Sequence, residues 1–376
     1  MNTKSNTSHE KADILVSFIK NNNIAIKQAL LYSSNFNTDA ICRNVFNKLN
    51  IPLSVLNAYP REGIQKFIAA NNVDTILFHK RDIRLVNELL WICSSLKQYI
   101  CIDTSDLSKE TDGKAKLMNK KLWDFTAINA ADDIEGGGWI SSYTRNKFSR
   151  KEMDEYANNV IIKLKPYLSS TKRVVEIGCS SGITMFALAP YVKEYVALDI
   201  SNYIIKKNKD RILRESISNI DLHCLYAHEL NKLNKGKFDI GIANSVLQCF
   251  EGPLYFNKVF KMLIDIISNE GIIFFGDVMD ANRKSELEMS LHEYKKKYKV
   301  NTKLDMTHEL FFSKNFFEDL YYDYPEISNV IITDKHYSIE NELTKFRYDV
   351  LIVLNKDNAN NPGNARQKLQ YACDIS

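Results

Sequence analysis

The sequence predicts an α/β protein, with a Rossmann-like seven-stranded sheet that ends in an antiparallel hairpin and follows a smaller α/β domain. Three observations predict it. Short β-rich runs alternate with stretches of helical apolar spacing, once over residues 26–103 and again from Arg173 onward. A glycine-bearing turn, Gly178-Cys-Ser-Ser-Gly182, follows the first run of the second series. The last two runs of that series are separated only by the short polar stretch Asp334–Lys345. That is too brief for a long crossover helix, so antiparallel pairing is expected there.

Length and composition frame this reading. A chain of 376 residues exceeds one average domain and suits two. With 45% apolar and 26% charged residues it has the make-up of a soluble globular protein. A net charge of +4 gives no global pull toward nucleic acid or acidic membranes. The 7 cysteines are scattered without CxxC or metal-ligand spacing, so neither a disulfide framework nor a metal site is expected. No apolar run reaches transmembrane length, and the N-terminus lacks the apolar core of a secretory signal. A cytoplasmic location is expected.

Along the chain, residues 1–23 read as a flexible N-terminus. Residues 24–104 form the small accessory domain, with β-rich runs at Ile26–Tyr32, Pro52–Leu56, Asp74–Phe78 and Tyr99–Ile102. Helical spacing fills Asp39–Leu49, Arg61–Ala70 and Ile83–Leu96 between them. The domain has no glycine-rich turn, so docking, scaffolding or homodimer formation is expected of it rather than catalysis. Residues 105–150 form a connector in which Gly136-Gly-Gly precedes Trp139 and Tyr143. Consecutive glycines suit a hinge, and the two aromatics suit a lid over a substrate. Residues 151–355 hold the larger domain. Its strands are expected at Arg173–Ile177, Tyr195–Ile200, Asp221–Tyr226, Phe238–Ala243, Ile272–Val278, Asn329–Thr333 and Phe346–Leu354. Its helices include Ser201–Glu215, Pro253–Ile267, Lys284–Tyr298 and Lys314–Tyr324. Residues 356–376, rich in Asn, Pro and Gly, read as a disordered tail.

The chemistry concentrates in Val174-Val-Glu-Ile-Gly178-Cys-Ser-Ser-Gly182. Gly178 permits a tight turn with close backbone approach to a ligand, and Gly182 permits close packing at the helix start. The next strand ends in Asp199, placed to accept hydrogen bonds from ribose hydroxyls. The dinucleotide fingerprint needs G-x-G-x-x-G, whereas the spacing here is G-x-x-x-G with Glu176 inside the motif. An acid there repels phosphate but suits a cation. S-adenosylmethionine carries a sulfonium, an ammonium and no phosphate, so the motif favours it over NAD.

These residues resemble motif I of class I S-adenosylmethionine-dependent methyltransferases, usually E/D-x-G-x-G-x-G, with Ser180-Ser181 replacing the middle glycine. Further segments resemble the N-methyltransferase domains of nonribosomal peptide synthetases. They are Gly138-Trp-Ile-Ser-Ser-Tyr-Thr144 with Glu152-Met153, Asn244-Ser-Val-Leu-Gln248-Cys-Phe250, Phe275-Gly-Asp277-Val278 and Asn341–Val350. The resemblance covers roughly residues 120–355. It implies the seven-stranded methyltransferase sheet and S-adenosyl-L-methionine as cofactor. It places Glu176, Gly178, Cys179 and Gly182 at the methionine part, Asp199 at the ribose and Ile200 at the adenine. Ala227 and His228 would lie at the adenine edge, with Asn244 and Ser245 at the end of the fourth strand.

Methyl transfer needs an acceptor atom held near the methyl group and water excluded. Tyr143, His228 and Asp277 are the expected catalytic residues, and Glu309, His308 and His336 are further candidate proton acceptors. Trp139, Tyr143, Gln248, Asp277 and His308 are expected to contact substrate. Arg347 and Tyr348 are expected to be structural. The expected activity is N-methylation of an amino-acid- or peptide-derived natural product, on a small-molecule or peptide substrate that is free or carrier-bound. O- or C-methylation of a small molecule or polyketide is the alternative, and a non-catalytic cofactor-binding partner protein is the third. No nucleic-acid or membrane partner is expected.

Overall fold

The computed structural model describes residues 8–33, 35–57, 59–103, 116–357, 369–373 and 375. The chain divides into two compact units, Met1–Lys109 with Asn361–Ser376, and Glu110–Asn360.

The first unit contains β1 (Ala29–Tyr32), β2 (Leu53–Leu56), β3 (Thr75–His79), β4 (Gln98–Asp103) and the late strand Leu369–Ala372. The four early strands pair in parallel, with β1 between β2 and β3, and β4 beside β3. Leu30, Ile76 and Phe78 face one core, while Leu31, Leu77 and Ile100 face the other. Burial on both faces explains why these runs are apolar throughout rather than alternating.

Two expectations are corrected here. Ser8–Asn21 is a helix, not a flexible end, and it buries Ala12, Leu15 and Ile19 along one stripe. Residues 1–7 lie outside the described residues. In the expected disordered tail, Leu369–Ala372 pairs in parallel with β4, and Cys373 and Ile375 are buried. Parallel backbone pairing gives this segment partners that its mixed composition did not suggest. Residues 358–368 lie outside the described residues.

The second unit holds β5 (Arg173–Ile177), β6 (Glu194–Asp199), β7 (Ile220–Cys224), β8 (Phe238–Asn244), β9 (Ile267–Met279), β10 (Ile327–Asp334) and β11 (Arg347–Leu354). Their order across the sheet is β10-β11-β9-β8-β5-β6-β7. The strands from β5 to β9 are parallel, and β11 runs antiparallel to both β9 and β10. This is the expected seven-stranded sheet with an antiparallel last hairpin. Val175 and Ile177 of β5 enter one core and Val174 enters the other, so period-2 alternation feeds both layers. Order reverses between β5 and β8, and in open α/β sheets ligands bind at the carboxyl ends beside such a switch point.

Residues 105–115 of the expected connector lie outside the described residues. From Lys116 it is part of the second unit, with helices at Lys120–Asn129 and Asp133–Gly136. The three glycines do not form a free hinge. Gly136 ends the short helix, Gly137 caps it, and the N–H groups of Gly137 and Trp139 donate to Asp133 and Ile134 at 3.0 and 3.1 Å. A capping box at Ser149 and Glu152 then starts the helix Arg150–Leu164.

Candidate active site

The site begins where β5 leaves the sheet. Gly178 takes φ +71°, and a Cβ there would lie 2.6 Å from Val246 Cγ2. Ser180 also adopts a left-handed conformation, φ 48°, of the kind glycine takes most readily. Its N–H donates to the Asp199 carboxylate at 3.0 Å, and the Ser201 N–H donates to the other oxygen at 2.9 Å. Burial pushes the Asp199 carboxyl up to about 6, against the opposing pull of these backbone donors.

Beside this turn lies a cavity of about 430 Å³, within the range of small-molecule sites. Gly178, Ser180, Asp199 and Ile200 form one wall, continued by Tyr226 and Ala227. Asn244, the last residue of β8, and Ser245 and Gln248 beyond it form the next. Trp123 and Trp139 line it from the 116–148 segment. Lys303, Glu309, Glu342 and Arg347 line it as well.

Several polar atoms on these walls are only half used. Gln248 Nε2 donates to the Ser245 carbonyl and hydroxyl oxygens at 2.8 and 2.9 Å, and its Oε1 is buried without a partner. Lys303 Nζ pairs with Glu309 Oε1, and Glu309 Oε2 is buried without a partner. Asn244 Nδ2 donates to Thr184 Oγ1 at 2.9 Å, leaving its Oδ1 unpartnered. The Glu342 carboxylate accepts from the Ser142 N–H at 3.0 Å, and burial raises its pKa. The 139–145 segment is further held by the Lys303 N–H on the Ser142 carbonyl and by the Thr302 hydroxyl on the Tyr143 carbonyl.

Of the expected cofactor residues, Gly178, Asp199, Ile200, Ala227, Asn244 and Ser245 reach the cavity. Glu176, Cys179 and Gly182 do not line it. Glu176 is buried and accepts the Tyr195 hydroxyl at 3.0 Å, and burial pushes its carboxyl up to about 8. Cys179 is packed in the core layer with Val174 and Met185. His228 lies outside the cavity too, because its Nδ1 meets the Tyr255 hydroxyl at 2.9 Å and its ring stacks on Tyr226.

The expected catalytic residues are corrected most. Asp277 does not point into the acceptor cleft. It is fully buried, pairs with Arg347 and lies 3.3 Å from Lys335 Nζ. Burial would raise its carboxyl, but the two cations hold it below the usual carboxylate range. Tyr143 lines a neighbouring cleft instead. Its hydroxyl bonds Ser290 Oγ at 2.6 Å, and its ring meets Tyr294 edge-on. His308 is absent from the cavity wall and lies 3.9 Å from the Asp305 carboxylate. Trp139 and Gln248 line the cavity, with Trp139 packed on Tyr156 at 4.6 Å.

Arg347, expected to be structural, pairs with Asp277 and also lines the cavity, a place the sequence did not suggest. Lys303 and Glu342 line it too and were not among the expected site residues. The quoted Asn341–Val350 segment contains two of the three, but nothing around Lys303 marks it.

Residues 168–342 match a family described as a methyltransferase domain. With the sheet order above, this makes the larger unit a class I, S-adenosylmethionine-dependent methyltransferase domain. The chain is 28% identical over 219 residues to a probable non-canonical nonribosomal peptide synthetase, CymA, of Salinispora arenicola, covering 57% of this chain and 3% of that protein. It is 29% identical over 225 residues to the chondramide synthase of Chondromyces crocatus, covering 57% and 6%. The chain thus spans only a small part of these relatives. The N-methyltransferase NodS of Bradyrhizobium japonicum, crystallised with S-adenosyl-L-homocysteine, is 14% identical with a TM-score of 0.43, covering 62% of this chain and 97% of that one.

Proposed function

We propose that the protein methylates nitrogen in an amino-acid- or peptide-derived natural product of the nonribosomal type. The observation that carries this reading is the similarity, over 57% of the chain, to nonribosomal peptide synthetases. The substrate is a small molecule or peptide, free or bound to a carrier.

The residues present fit S-adenosylmethionine. Asp199 offers a carboxylate where ribose hydroxyls would donate, and Ile200, Leu225 and Ala227 offer apolar surface for adenine. S-adenosylmethionine supplies the electrophilic methyl group. The chain's own work is to hold the acceptor in line and keep water out, which suits a site walled by Trp123 and Trp139. Gln248 Oε1, buried and unpartnered, accepts hydrogen bonds only, so it favours an acceptor that bears N–H or O–H.

The test is incubation of the purified chain with methyl-labelled S-adenosylmethionine and a panel of aminoacyl thioesters, dipeptides and hydroxy acids. Mass spectrometry detects the label, and the carbon chemical shift of the new methyl group separates nitrogen from oxygen. Label on nitrogen of the amino compounds supports the reading. Label on oxygen or carbon alone refutes it.

A further inference from the structure

We propose that Glu309 is the acceptor-nitrogen residue of this site: its Oε2 receives the N–H of the incoming amine and stabilises the positive charge that transfer moves onto nitrogen. The inference rests on the methyltransferase reading and deepens it by naming a residue and a substrate charge state.

The geometry has four parts. Glu309 lines the cavity, and its side chain is 8% exposed. One carboxylate oxygen is engaged by Lys303, and the other is buried without a partner among the described residues. The Leu310 N–H donates to the Gln248 carbonyl at 3.0 Å. That bond fastens the Glu309 segment to the helical turn carrying Gln248, whose own buried Oε1 is likewise unpartnered. Two residues that line one cavity therefore each hold a buried acceptor atom with unused capacity, a carboxylate and an amide oxygen.

Leaving a carboxylate oxygen buried and unpaired is costly, and native structures rarely do so without a ligand or function. A hydroxyl acceptor needs one hydrogen-bond acceptor, whereas a primary amine brings two N–H groups and suits two. The charge balance points the same way. The nitrogen lone pair forms the new N–C bond, the methyl C–S bond breaks, and its electron pair goes to sulfur. Positive charge thereby passes from sulfonium to nitrogen. The product leaves as a methylammonium ion and gives its proton to solvent. A fixed carboxylate at the nitrogen favours that charge as it develops. Lys303 offsets part of the carboxylate charge, so the site does not simply trap the amine in its unreactive protonated form.

The test uses the full chain and two cofactor analogues. S-adenosylhomocysteine lacks the methyl group. Sinefungin carries an amine where the sulfonium methyl stands, so its cation sits where the acceptor nitrogen approaches. In Glu309→Gln, an isosteric change, S-adenosylhomocysteine affinity should stay at the wild-type value while sinefungin affinity falls by about tenfold or more. Turnover of an amine acceptor should fall by about a hundredfold. An unchanged ratio of the two affinities overturns the proposal, as does equal loss of both, which would make Glu309 a residue of the cofactor half or of the fold. Failure of S-adenosylhomocysteine to bind the wild type overturns instead the methyltransferase reading beneath it. Label on oxygen alone, with the sinefungin effect intact, overturns the nitrogen reading but keeps Glu309 as a cation-facing group.

Discussion

Glu176→Gln isolates the largest buried-acid effect in the catalytic unit. Glu176 sits on β5 with its carboxylate against the Tyr195 hydroxyl, and burial moves its pKa from an ordinary 4.5 to about 8. Between those values the native chain holds a proton that the unfolded chain has released. Stability therefore falls as pH rises through that window, is free of the penalty below 4.5 and bears it fully above about 8. The difference corresponds to at most roughly 5 kcal/mol, an upper bound because buried sites relax. Glutamine is neutral at every pH, and its amide oxygen still accepts the Tyr195 O–H. The variant should gain stability over wild type progressively from pH 5 to pH 8, up to about 10–20 °C in midpoint if the full upper bound is reached in a unit of this size. Calorimetry of the full chain at pH 5, 6, 7 and 8, without cofactor, measures it. A variant-minus-wild-type difference that stays flat across the series refutes the reasoning.

Asp199→Asn should weaken S-adenosylhomocysteine binding by about ten- to a hundredfold in titration calorimetry, because a charged acceptor is lost at the ribose position and the Ser180 and Ser201 N–H groups keep only a neutral one. Gly178→Val should remove saturable binding of the same ligand while circular dichroism retains the helical signal. Its Cβ would start 2.6 Å from Val246 Cγ2, in a backbone conformation that β-branched residues avoid. Lys335→Met should cost about 3–5 kcal/mol in denaturant unfolding, since Asp277 and Asp349 lose a buried cation at 3.3 and 3.0 Å. Tyr143→Phe should leave turnover unchanged and cost about 1 kcal/mol of stability, since its hydroxyl is engaged by Ser290 and its ring lines the neighbouring cleft.

The strand and turn beside the cavity were legible because they are local in sequence, although Glu176, Cys179 and Gly182 do not line it. Strand β5, the turn after it and the end of β6 fall within 173–199, and their run of β-branched residues, glycines and one aspartate has few other uses. The strands came close to their expected bounds for the same reason: Arg173–Ile177 is unchanged, and β6 and β7 differ by one or two residues at their ends. The acceptor half was not legible, since long-range contacts build it. Ser142 meets Glu342, Leu310 meets Gln248, and Arg347 meets Asp277, in each case across tens of residues or more. Asp277 and Tyr143 looked available because sequence shows a residue type and not its partners. Lys335, which helps bind Asp277, lies in a polar stretch that carries no mark of burial.

Three of the strained backbone positions lie around the candidate site. Ser180, Ser245 and Asp277 all have positive φ, at 48°, 56° and 60°, and they follow or end three adjacent strands of the sheet, β5, β8 and β9. Each is a non-glycine residue in a conformation that costs about 1–3 kcal/mol, and such strain persists only where neighbours hold it. Each has its holder. The Ser180 N–H donates to Asp199, the Ser245 N–H to the Gly276 carbonyl, and the Asp277 N–H to Asp349. The last of these is anchored by Lys335, and Asp277 in turn holds the Arg347 guanidinium that lines the cavity. The buried ion cluster thus holds β9 near its end in a bent conformation and fixes a cation that lines the cavity. The turn at Ser180 and the bend at Ser245 line the same cavity without any charged side chain of their own. Cofactor and acceptor walls are therefore set by one physical device, a distorted strand end held by a buried acceptor, repeated across the switch point of the sheet.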